Sequence, residues 1–243
     1  MLKLIVSLSI VFFFGKLNAQ YDSTWYQIDR YGEILSSEKA NDTVNPINFD
    51  IDYLNVCIFH ATNEYRIKKG KDPLVFDIKL HDLSKKYQKM YENKKFSNPV
   101  RYQKRIIKQV YGDAKKVRFK GTLLHANVGS SDILNYNGKK YFYNKREETT
   151  DLHLFYGDKP SSKDKNQKRE AIPNYTYQEL ARSIVKSTNQ DQNKINNKSK
   201  AYKYVGVYCM LDYRTLYKRA IPQIKVISVF GGYQTDLLKE AID

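Results

Sequence analysis

The chain has 243 residues, 42 of them Lys or Arg against 26 Asp or Glu, a formal charge of +16. Its 41% hydrophobic content is too high for a fully disordered chain, and 11 Gly and 6 Pro exclude a collagen-like or Pro-rich fibre. Two Cys exclude a disulfide-dense scaffold and a Cys-rich zinc module.

In chain order, the first element reads as a signal peptide. Lys3 precedes an apolar run over residues 4–14, and a short polar stretch ends in Ala19. The run is about half the roughly 20 residues a spanning helix needs, so it predicts cleavage after Ala19 and export rather than a transmembrane anchor. Residues 20–48 show no sustained periodicity and read as a leader segment packed by Trp25, Tyr26 and Tyr31, with the compact domain expected over 49–235 and a tail over 236–243.

Leu54, Cys57, Ile58, Ala61 and Tyr65 share one helical face, and Gly70 marks a stop. A second helix is predicted from about Asp77, with Leu80, Leu83, Tyr87, Met90 and Tyr91 as its stripe. Asn98-Pro99 reads as a cap and first position of a third, with Tyr102, Ile106 and Val110 inward, ending at Gly112. Residues 117–149 are mixed, with a hairpin signal at Asn137-Gly138. A short apolar run over 152–156, a polar loop over 157–169 and a capping box at Thr176 and Glu179 follow. Val205, Val207, Cys209 and Leu211 alternate as in a strand, and 224–230 reads as a strand covered on both faces. Helices first, then paired strands, predict an α+β fold with an antiparallel sheet covered by helices.

Asn63, Arg66, Gly70, Pro73, Leu74, Asp77 and Leu80 fall in the register of the opening pattern of the CAP superfamily, the cysteine-rich secretory, antigen 5 and pathogenesis-related 1 proteins, which this chain resembles. Ser187 and Asn193, the Tyr204-Val205-Gly206-Val207 segment and Val229-Phe230-Gly231 resemble later motifs of that family. The resemblance implies an α-β-α sandwich and a cleft with two His and two Glu. Here those places hold Asn98 (or Ser97), Ala126 and Gln190, with no equivalent of the second Glu, while His125 and Asn127 flank Ala126. Carboxamides and Ala bind a divalent metal poorly or not at all, so the expectation is a degenerate cleft of Asn98, His125, Asn127 and Gln190, with neither metal nor cofactor nor catalytic residue. In such a sandwich the faces bearing Cys57 and Cys209 can meet, as a disulfide or as two separate buried thiols.

The functional expectation is a secreted, non-enzymatic binding or interaction module for a lipid, a small molecule or a protein. A secreted hydrolase with an unrecognised acid/base cleft is one rival. Another is a basic protein held to an anionic cell-surface polymer. The basic stretch over residues 85–120, interleaved with Tyr87, Tyr91, Tyr102 and Tyr111, suits nucleic acid on paper, but export disfavours that partner. His60, His81 and His153 read as structural or surface side chains.

Overall fold

A computed structural model describes residues 22–93, 99–135, 141–143, 154–156, 170–171, 174–190, 200–216 and 219–236. The signal-peptide segment, Asn98, the Asn137-Gly138 turn, His153, Asn193 and the 157–169 loop lie outside the described residues.

The leader is built into the molecule. Two 3-10 turns, Ser23–Tyr26 and Ile28–Arg30, lead into α1 (Tyr31–Ser36) and α2 (Glu38–Asn41). Tyr26, Ile34, Leu35, Ala40 and Val44 are buried in the main core, and Tyr26 stacks on Phe76 with ring centroids 3.7 Å apart.

Asp50 opens α3 (Ile51–Lys68) by accepting the Tyr53 N–H at 2.9 Å. The helix is buried almost all round: beside its apolar stripe, Asn55, His60, Asn63 and Arg66 are each fully enclosed. It ends where the Gly70 N–H reaches the Ile67 carbonyl and the Lys71 N–H the Arg66 carbonyl, with Gly70 at φ 67°. β1 (Val75–Phe76) follows, and Asp77 caps α4 (Ile78–Asn93) through the N–H groups of Lys79 and Leu80. α5 (Pro99–Lys116) continues past Gly112.

β2 (Leu123–Asp132) occupies the region that the sequence leaves mixed. β3 (Tyr141–Tyr143), β4 (Leu154–Tyr156) and β5 (Glu170–Ala171) form a small separate antiparallel sheet, so the partner of Tyr141–Tyr143 is the later apolar run. α6 (Tyr177–Gln190) carries the expected reciprocal box: the Thr176 N–H donates to Glu179 and the Glu179 N–H to the Thr176 hydroxyl. β6 (Tyr202–Leu216) and β7 (Arg219–Gly232) form a long hairpin.

The main sheet has the order β1-β6-β7-β2. The long β6, β7 and β2 pair antiparallel, as expected, and the two-residue β1 adds a parallel edge, so the sheet is mixed. Only a tight hairpin forces antiparallel neighbours, and β1 instead joins α3 to α4.

Helices cover both faces. Leu54, Ile58, Leu180 and Ile184 pack on Val205, Val207, Ile224, Val226 and Phe230. On the other side Leu80, Leu83, Tyr87, Tyr102, Ile106 and Val110 pack on Leu124, Ala126, Val128, Ile227 and Val229. β7 therefore feeds two cores with alternate residues, which is the period-two geometry of a strand between two layers. α4 crosses β6 at Gly206, where a Cβ would sit 1.9 Å from the His81 nitrogen. The Ser84 hydroxyl donates to the Gly206 carbonyl at 2.8 Å, fixing that crossing. Among the described residues no helix is long and apolar enough to cross a membrane.

Candidate ligand-binding site

Alternation along β2 sets the site. Leu124, Ala126 and Val128 enter the α4–α5 core. The odd-numbered residues face α6: a Cβ on Gly129 would meet the Thr188 methyl at 2.7 Å, and Ser131 lies 3.4 Å from Ser183, hydroxyl to hydroxyl. His125 and Asn127 continue that row. Asn127 is buried and hydrogen-bonds the half-buried His125 ring. Because β2 is an edge strand, α5 reaches it from the side, and Gln103 Nε2 comes to 3.4 Å from His125 Nε2.

Burial pushes the His125 imidazole down to about 4, with the Asn127 hydrogen bond acting the other way. At neutral pH the ring is therefore uncharged, with one nitrogen a donor and the other an acceptor. Around it stand carboxamides, which can each donate and accept. His125, Asn127 and Gln103 thus form a neutral hydrogen-bonding cluster.

The structure brings His125 and Asn127 together and adds Gln103, which the sequence reading missed. Its signal was present: Gln103 is a polar residue in the i, i+3, i+7 row of Ile106 and Val110. Gln190 is the last residue of α6. Ala126, the position that the resemblance equates with a Glu, is buried in the α4–α5 core. Among the described residues no three His, Cys, Asp or Glu side chains come together as a metal site.

The remaining candidates are architectural. His60 Nε2 bonds the Trp25 carbonyl oxygen and His81 Nδ1 that of Val207, both at 2.7 Å, and burial lowers both pKa values. Asp50 caps α3 and pairs with Lys39 at 2.6 Å. Cys57 and Cys209 do share one core, but both are free thiols and no disulfide joins them. The Cys209 thiol lies 3.8 Å from the Ile51 carbonyl oxygen, while Cys57 bonds Tyr53. Burial raises the Cys57 thiol to about 12, so neither is poised to react. Tyr87, Tyr91 and Tyr102 point into the core, which removes three of the four stacking platforms that a nucleic-acid surface would use.

The residues that carry the CAP resemblance hold the α3–β1–α4 corner. Asn63 Nδ2 donates to the Leu74 carbonyl at 3.0 Å and its Oδ1 accepts the Leu74 N–H at 2.8 Å. Arg66 donates to the carbonyls of Asp72 and Tyr202. Comparison with protein-family models, curated proteins and solved structures finds no match to this chain.

Proposed function

We propose that this chain is an exported, CAP-like binding module that holds a neutral polar group by hydrogen bonds at His125, Asn127 and Gln103. The observation that supports this reading is the uncharged His125 ring set between two carboxamides on the margin of an edge strand. General acid/base chemistry near neutral pH is served by groups titrating close to that pH, and His125 is held well below it. Tight zinc binding needs about three His, Cys or carboxylate ligands, which this cluster does not supply.

Two measurements on the exported protein test the proposal. Zinc titration calorimetry should detect no stoichiometric site; a one-to-one micromolar site abolished by His125→Ala overturns it. NMR titration with small neutral amides and polyols should shift His125, Asn127 and Gln103 resonances, and Asn127→Ala should remove the response. Shifts confined to other surfaces would refute the assignment. Export itself is tested by mass spectrometry, with a mature N-terminus expected at Gln20.

A further inference from the structure

We propose that a second, cationic pocket at the C-terminal end of α5 binds a dianionic phosphate ester whose organic part packs against Phe119. The pocket has a volume of about 430 Å³, and its lining includes Tyr111, Ala114, Lys115, Arg118, Phe119 and Lys120. It lies on the α5 side of β2, whereas His125 and Asn127 face α6.

Its frame is rigid. α5 closes with the Arg118 N–H on the Lys115 carbonyl at 3.1 Å and the Phe119 N–H on the Ala114 carbonyl at 2.9 Å. This closure places the intervening residue in the left-handed region, where Gly is the usual choice. Here Arg118 takes that place at φ 57°. A side chain at such an angle is strained, and strain of this kind persists where the residue is needed. Lys79 Nζ donates to the Arg118 carbonyl at 2.9 Å and holds the turn. The Phe119 ring lies so close over Gly231 that a Cβ there would come within 2.4 Å of it, and it meets Tyr204 edge-on at 5.8 Å. The Tyr111 hydroxyl accepts the Leu124 N–H and donates to the Leu124 carbonyl, both at 3.3 Å, so this wall is fixed too.

The charges are available. Lys86 and Lys116 are engaged by Asp113, at 2.8 and 3.5 Å. Among the described residues Lys115, Arg118 and Lys120 make no ion pair, and no acidic side chain lines the pocket. A guanidinium grips two oxygens of one phosphate in its planar fork and offsets one of its two charges, and the two ammonium groups more than offset the other. A carboxylate would use one of the three cations. The Phe119, Ala114 and Leu124 walls suit a ring or short apolar body attached to the phosphate.

Calorimetry at low salt with phenyl phosphate should give one saturable site. Inorganic phosphate, which lacks the ring, and phenyl sulfate, which carries a single charge, should each bind about tenfold more weakly. Arg118→Gly should weaken phenyl phosphate about tenfold or more while raising Tm by a few degrees, because Gly relieves the left-handed turn. Loss of affinity would then not be loss of fold. Lys116→Ala should change nothing, and a Lys115→Ala/Lys120→Ala pair should weaken binding independently of the turn. Co-sedimentation with phosphatidic-acid vesicles assigns the source: Arg118-dependent co-sedimentation points to a lipid headgroup and its absence to a soluble ester, each in support once phenyl phosphate binds. No saturable binding of phenyl phosphate up to ~10 mM, or unchanged affinity in Arg118→Gly, overturns the proposal.

Discussion

Arg66 is a permanent cation with no exposed surface. Its Nε donates to the Asp72 carbonyl at 2.8 Å and its Nη2 to the Tyr202 carbonyl at 3.4 Å, so it ties the loop after α3 to the start of β6. Charged hydrogen bonds of this kind contribute about 1.5–3 kcal/mol each, and truncation leaves buried carbonyls without a donor. Arg66→Met should therefore lower stability by about 3 kcal/mol in urea denaturation, with the fold retained.

His125 makes the opposite argument from an absent charge. Its folded pKa of about 4 lies below the ordinary His value, so between these limits the unfolded chain binds the extra proton. Stability is then complete above about pH 6.5 and lost as pH falls toward 4. The loss between pH 7 and 5 should be about 2 kcal/mol from this residue, with His60 and His81 adding in the same direction. Denaturation of His125→Gln at the two pH values should show a pH dependence smaller by about that amount.

At the scale of elements, the α4–β6 crossing depends on the missing side chain of Gly206. A Cβ there would lie within 2.0 Å of backbone atoms of both Leu80 and His81, which cannot turn aside. Gly206→Ala should force α4 off the sheet and cost about 3 kcal/mol or more, read as a fall in the denaturation midpoint. Ser84→Ala, which keeps the crossing and removes one hydrogen bond, should cost about 1 kcal/mol.

The helices were legible because their stripes are written in strong apolar residues: Leu80, Leu83, Tyr87 and Tyr91 in α4, Leu180, Ala181, Ile184 and Val185 in α6. The polar burial in α3 was not, since nothing local distinguishes an enclosed Asn63 or Arg66 from a solvated one. β2 escaped because its alternation is spelled in weak strand formers, Ala126, Asn127, Gly129, Ser130 and Ser131. Ten residues of pairing with β7 make it a strand, and that partner lies about a hundred positions away. The candidate site split likewise. His125 and Asn127 were found on one segment, whereas Gln103 joins them only when α5 lies against the edge of the sheet.

At the scale of the whole molecule, residues 22–48 belong to the fold that they precede. Trp25 and Tyr26 meet Tyr53, Phe59 and Phe76, and Val44 takes the Tyr175 carbonyl as its hydrogen-bond acceptor. Removing this segment would uncover one wall of the larger core. A chain starting at Phe49 should lose its cooperative thermal transition or bind a hydrophobic dye, while one starting at Gln20 should melt as a unit. The proposed cleavage after Ala19 leaves the whole of this wall in place.

The position of β7 sets a timetable. It follows every other described strand in the chain, yet it lies between β6 and β2 and supplies apolar residues to both cores. While earlier residues leave the ribosome, α3 through α6 carry apolar residues but lack the completed main sheet to pack on. Contacts this distant in sequence form late and slowly. Until residues 219–232 arrive, β6 and β2 lack the strand that lies between them, and neither core can close.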